Sequence, residues 1–237
     1  MSRFRPGWAL TVVMLVLGAV FLRLGFWQLD RAEQKRAHWE AMQQDAAQPA
    51  GDWTGDVALL HEARQIRVRG MWKPELGFWL DNRNHAGKPG MQRIDFLLLE
   101  SGALLAVNRG WQMHRPDRAL PAQPPKLPDV QAKTGSALLG QVHIPEGQGF
   151  KLGDATEGAL RLYLDLAALD AQLPQAVLPV VLWQLSETDD GLLRAWPQPK
   201  PEEGMHLAYA VQWFGFAAAL VLLWLWVGWR RGHGHDS

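Results

Sequence analysis

Few side chains in this 237-residue sequence stand at spacings that perform chemistry, and the most suggestive is a single imidazole. His206 lies one residue before an uncharged run of 23 residues, Leu207 to Trp229. On a helix, positions 206, 209, 210, 213 and 217 share one face. That face carries His206, Tyr209, Ala210, Trp213 and Ala217. An imidazole above a strip of aromatic and small residues is suited to ligate the iron of a flat, apolar ring such as haem. The other reading is an interfacial histidine with membrane-belt aromatics beneath it.

Other histidines offer less. His61-Glu62-Ala63-Arg64-Gln65 begins like the zinc-protease motif His-Glu-x-x-His, but Gln65 stands where the second imidazole belongs. His233 and His235 sit on a short polar tail and are expected to be solvated. The sequence has no Gly-x-Ser-x-Gly, no Walker loop and no dinucleotide fingerprint, and no nucleophile, base and metal set stands at usable spacing, so no enzymatic activity is expected. Cysteine is absent, which excludes disulfides, thiolate metal sites and covalent haem attachment through Cys-x-x-Cys-His. It also disfavours copper(I) delivery, since that ion prefers thiolate and thioether ligands.

Two apolar runs are the elements that would position His206. The first, Trp8 to Leu29, is 22 residues long and interrupted only by Arg23, whose side chain can snorkel outward; the second is Leu207 to Trp229. About 20 residues suffice to cross a bilayer core. Thirteen tryptophans against two tyrosines, many at the borders of these runs, suit two membrane interfaces. No small-x-small cleavage site directly follows the first run, so it is expected to be an uncleaved anchor. Gly215, Ala217, Ala218 and Ala219 would let another helix approach closely in lipid. Arg3 and Arg5 precede the first run, and Arg230 and Arg231 follow the second. The expected organisation is therefore a cytoplasmic tail (1–7), a first transmembrane helix (8–29), a periplasmic region (30–205), a second transmembrane helix (207–229) and a second cytoplasmic tail (230–237).

Within the periplasmic region, Asp30 to Ala47 has no Gly or Pro and is rich in good helix formers, so it predicts a helical extension of the first span. From Arg64 onward the period becomes two. Short strands are expected at 65–69, 77–80, 94–99, 104–107, 137–143, 160–164, 179–185 and 192–196, with one short helix at 165–173 capped by Asp165. Asn108-Arg109-Gly110 is expected to end a strand in a tight turn, and Pro121 to Pro128 to form an irregular loop. The fold class expected is a membrane protein of α+β type: two transmembrane helices, N- and C-terminal, flank an antiparallel β-sandwich or small β-barrel domain with short helices. Residues 30–205 carry 19 basic against 23 acidic side chains, so nucleic acid is not an expected partner.

Four blocks, in order, resemble the surfeit locus protein 1 family, membrane factors for assembly of haem-copper cytochrome c oxidase. Gly25-Phe-Trp-Gln-Leu-Asp-Arg31 with Lys35 is similar to its Gly-x-Trp-Gln-x-x-Arg signature. Arg67-Val-Arg-Gly70 with Trp72 resembles an early strand motif, and Asn82-Arg83, Gly87, Gly90 and Val107-Asn-Arg-Gly-Trp111 resemble its central block. His206-Leu-Ala-Tyr-Ala-Val-Gln-Trp-Phe214 resembles the family's lead into the second span. The resemblance implies transient, non-covalent binding of haem a and its delivery to, or stabilisation in, oxidase subunit I, in concert with other oxidase assembly factors and in the bacterial inner membrane. It implies His206 as the iron ligand. Beside it, Tyr209 and Trp213 are expected to pack on or near the porphyrin, Gln28 and Gln212 to supply polar contacts between the spans, and Arg31 to pair with propionates. A scaffold that binds oxidase subunits without handling haem is the alternative.

Overall fold

A computed structural model describes residues 6–130, 137–145, 158–197, 201 and 203–233, the side chains of 232 and 233 excepted. Arg3, Arg5 and His235, and the side chain of His233, lie outside this set. The chain divides into two units: a helical one, up to Ala41 and from Pro199 onward, and a sheet-bearing one, Met42–Gln198.

The helical unit is built from α1 (Trp8–Ala47) and α3 (Glu203–His233). Helix α1 is continuous over 40 residues, so the apolar run and the polar extension after Asp30 form one element. Its sheltered positions step through Thr11, Met14, Gly18, Phe21, Gly25, Gln28 and Ala32, alternating four and three residues. On α3 the same alternation runs through His206, Ala210, Trp213, Ala217, Leu220 and Trp224. This is the seam spacing of two helices wound closely together. The pairing is antiparallel. Trp224 Nε1 donates to Thr11 Oγ1 at 3.0 Å near the start of α1, and Phe21 packs on Trp213 with ring centroids 5.7 Å apart. At Gly25 an added Cβ would lie 2.6 Å from Phe214 Cε1, so the absence of a side chain there seats the phenylalanine ring. Of the small residues expected to admit a neighbour on α3, Ala217 is buried, while Gly215, Ala218 and Ala219 are exposed; Ala210 is the more buried contact.

Outside the seam both helices present large apolar side chains, among them Val12, Leu15, Val16, Val211, Leu222 and Trp226. The most apolar stretches are only 6% and 11% buried, unlike core helices of a soluble protein. Both helices are long and apolar enough to cross a membrane, which suggests membrane anchoring.

The sheet unit contains β1 (Gly51–Asp52), β2 (Gln65–Val68), β3 (Met71–Trp72), β4 (Phe78–His85), β5 (Lys88–Leu98), β6 (Leu104–Met113), β7 (Leu138–His143), β8 (Leu160–Arg161), α2 (Leu166–Gln172) and β9 (Val177–Gln184). They form one sheet ordered β1-β2-β7-β9-β6-β5-β4-β8, with β3 paired to β5. The period of two sorts the core. Leu97, Leu99, Leu105, Val107, Val142 and Leu182 bury on one face. Ile94, Phe96, Leu104, Ala106 and Val181 bury on the other, beneath Leu166 and Leu169 of α2. That helix is capped as expected, with Asp165 Oδ1 accepting from Ala168 N at 3.0 Å.

The α+β composition agrees with the sequence, but the antiparallel sandwich or barrel is corrected. Three pairings, β1 with β2, β4 with β8 and β6 with β9, are parallel, and among the described residues the end strands β1 and β8 do not pair with each other. The reason is non-local. More than 60 residues separate β6 from β9, enough chain to return β9 beside β6 in the same direction. The strand expected at 192–196 is reduced to one bridge, Leu193 with Trp111.

Candidate functional site

The seam of the helical unit places two polar side chains against each other where α3 begins. Gln28 is buried and faces His206, whose Nδ1 lies 2.8 Å from Gln28 Oε1. An amide oxygen only accepts, so Nδ1 carries the proton, and in the neutral ring the lone pair is then on Nε2. The approach is possible because the next seam positions are small: Ala32 follows Gln28 by one turn and Ala210 follows His206 by one turn, and both are buried. Trp213 lies a further step along the stripe, against Phe21 and Phe216.

The remaining residues expected at this site have other surroundings. Tyr209 is 47% exposed, and Gln212 is exposed with no hydrogen bond to the described residues. Positions 209 and 212 flank the stripe, which follows the 206, 210, 213 steps. Arg31 is exposed and donates to Gln34 Oε1 at 2.9 Å along its own helix. The structure therefore brings together Gln28, His206 and the stripe containing Trp213, and leaves Tyr209, Gln212 and Arg31 open to the surroundings.

The sheet unit holds a second polar constellation, centred on Arg109, which has no solvent exposure. Its Nη1 lies 3.2 Å from Asp95 Oδ2 and its Nη2 lies 2.5 Å from Asp190 Oδ2. Arg93 pairs with the other oxygen of Asp95, and Arg194 shares Asp190. The same guanidinium donates to the carbonyl of Lys126 at 2.7 Å and lies over the Trp72 ring, so it ties the proline-rich loop to the sheet. Charges taken out of water are tolerated here because each has an opposite charge beside it.

Arg109 reaches this position through a bulge rather than the tight turn expected from the sequence. Strand β6 runs on to Met113, and against β5 the register steps from Arg93 with Gly110 to Ile94 with Asn108, leaving Arg109 as the extra residue. Gly110 has φ +137, and an added Cβ there would lie 2.9 Å from the Leu193 carbonyl. The partners Asp95, Asp190 and Arg194 carried no sequence signal, because their role depends on a register that only the paired strands define. Glu62, within the truncated zinc-like motif, lies in a turn and accepts from Ile144 N while pairing with His143. Among the described residues no three His, Asp or Glu side chains are grouped to hold a metal ion.

Comparison with known proteins meets these features from end to end. The family model described as the SURF1 family matches residues 15–218, which includes Gln28, the Arg109 block and His206. The chain belongs to the SURF1 family. A SURF1-like protein of Rickettsia bellii (strain RML369-C) is 25% identical over 232 residues, covering 90% of this chain and 88% of the relative. A SURF1-like protein of Rickettsia felis (strain ATCC VR-1525 / URRWXCal2) is 22% identical over 222 residues, covering 90% and 94%. SURF1 proteins are known generally as oxidase assembly factors rather than enzymes.

Proposed function

We propose that this SURF1-family protein is a membrane-anchored assembly factor for haem-copper cytochrome c oxidase, and that its helix pair holds haem a transiently through His206 for oxidase subunit I. The observation that carries this reading is the 2.8 Å hydrogen bond between His206 Nδ1 and Gln28 Oε1. With Nδ1 committed to the amide, Nε2 retains the lone pair that an imidazole uses to bind iron, and its ring orientation is set from the companion helix. The donor set suits a cargo: one neutral imidazole, in a chain without cysteine, gives no covalent attachment and leaves the ring transferable. Tyr209 and Gln212 flank His206 on α3, Trp213 continues its stripe, and the exposed guanidinium of Arg31, one turn beyond Gln28, gives one donor to Gln34 and has others to offer propionates. Haem held here would be cargo whose iron does its redox work in the oxidase.

The antiparallel pairing of two apolar helices supports an arrangement in which both chain ends lie on one side of the bacterial inner membrane. Arg230 and Arg231 favour the cytoplasmic side for those ends, and the sheet unit is then periplasmic. Subunit I and other oxidase assembly factors are the partners this reading entails.

The test is His206→Ala in the full chain purified in detergent, with haem stoichiometry and the Soret band recorded. Loss of the ligand band is expected. Unchanged stoichiometry and spectrum overturn the ligand assignment, and capture of subunit I by a chain that never shows a Soret band identifies the scaffold reading instead.

A further inference from the structure

On the sheet face opposite the Arg109 network, a cleft of about 390 Å³ opens beyond the α2 contacts. Its apolar part is formed by Leu80, Val181 and Trp183, and its polar part by Arg83, Gln92, Asn108, His143 and Tyr163. Among the described residues, none that line it is acidic. A volume of this size falls in the range of small-molecule sites, roughly 300 to 1,000 Å³.

The placement of Arg83 in the cleft is built into the backbone. In an uninterrupted strand residues 80 and 83 face opposite sides. Against β5, however, the register of β4 steps from Leu80 with Gln92 to Arg83 with Gly90, so one extra residue is accommodated between them. Asn82 supplies the bend. It adopts φ +57, a left-handed conformation that asparagine tolerates better than most residues, and its N–H is held by Asp81 Oδ1 at 2.6 Å. The bulge turns Arg83 onto the face of Leu80, where both line the cleft. Backbone held in a sparsely populated region, re-aiming a charged side chain, is a device found at binding sites.

Once there, the Arg83 guanidinium makes no hydrogen bond or ion pair with the described residues. Burial pushes its pKa down, and the nearby Asp81 only partly opposes this. Beside it, the Gln92 amide is arranged as a donor. Asn108 Nδ2 donates to Gln92 Oε1 at 3.1 Å, which occupies the acceptor of Gln92 and leaves its NH₂. His143 is held at Nδ1 by Glu62 at 3.1 Å and stacks on Trp183 with ring centroids 4.3 Å apart, and Trp183 in turn stacks on Trp196.

We infer that this cleft is a binding site for a small organic carboxylate with a flat apolar body, its carboxylate on Arg83 and Gln92 and its body against Trp183, Leu80 and Val181. A planar guanidinium matches a carboxylate in bidentate fashion, and a partly desolvated cation with no hydrogen bond or ion pair to the described residues gains most from such a ligand. The site lies wholly in the sheet unit and does not rest on haem binding by the helices.

Isothermal titration calorimetry of the full chain in detergent, with 2-naphthoate as probe and uncharged 2-naphthamide as its isostere, tests the assignment. Saturable one-to-one binding of naphthoate is expected, with naphthamide and Arg83→Gln each weaker by about tenfold or more. Gln92→Met, which keeps the volume and removes one donor, is expected to weaken naphthoate by roughly threefold to tenfold and decides the matter if the Arg83 variant fails to fold. Equal binding of acid and amide, naphthoate binding unaffected by the variants, or no saturable heat at millimolar probe overturns it.

Discussion

Gln28 and His206 lie 178 positions apart in the sequence and meet through a 2.8 Å hydrogen bond at the seam of α1 and α3. The pair converts two family motifs into one physical object. The glutamine fixes which imidazole nitrogen carries the proton, and the glycine three residues before it lets the helices approach closely enough for the bond to form.

Replacing Gln28 with leucine keeps the bulk and removes the acceptor. The imidazole then loses both its tautomer preference and its orientation, and loss of such a supporting partner weakens metal-ligand affinity by roughly 10- to 100-fold. Haem titration of Gln28→Leu beside the unaltered chain is expected to show a weakening of that order, with the protein still folded by circular dichroism. Equal affinity would mean that the hydrogen bond only staples the helices together.

The Arg109 network makes a prediction about the sheet unit. Arg109→Met leaves Asp95 and Asp190 with one arginine each and strips the Lys126 carbonyl of its donor. Breaking a buried ion pair from one side costs about 3 to 5 kcal/mol. A fall in unfolding free energy of that size is expected, followed by tryptophan fluorescence in denaturant. Asp190→Leu in the same chain leaves Arg194 without its carboxylate, but the bond from Asp190 to Arg109 is already broken by Arg109→Met. The double variant is therefore expected to lose less than the sum of the two single losses. Strict additivity would show that Arg109 and Asp190 are not energetically coupled.

How much of this was legible in the sequence follows from the range of each interaction. The two long helices were written in composition, Asp165 announced its helix locally, and nearly continuous apolar runs exposed the strands around Ile94 and Leu104. His206 drew attention by its place at the edge of an apolar run. What stayed hidden depended on distant pairing. The parallel contact of β6 with β9 needs a chain reversal that no local pattern encodes. Asp190 is 81 residues from Arg109. The bulges at Asn82 and Arg109 exist only relative to the strand beside them, so the glycine after Arg109 suggested a turn where the strand in fact continues.

Two glycines separate a close contact that can be relieved from one that cannot. At Gly25 an added Cβ meets the edge of the Phe214 ring, a side chain, whereas at Gly110 it meets the Leu193 carbonyl, which is backbone, and the residue also sits at φ +137. Gly25→Ala is expected to lower the thermal midpoint of the full chain in detergent, and Phe214→Ala in the same chain to recover part of the loss, since the smaller side chain vacates the space the new methyl needs. Gly110→Ala has no such suppressor. Its strain of about 1 to 3 kcal/mol comes from the left-handed φ as well as the contact. Leu193→Ala leaves the carbonyl in place, so the penalty of Gly110→Ala should persist in that background. Differential scanning of the four single and two double variants reads both halves. Recovery by Leu193→Ala, or additive penalties for Gly25→Ala with Phe214→Ala, would place the opposing atoms elsewhere than in this structure.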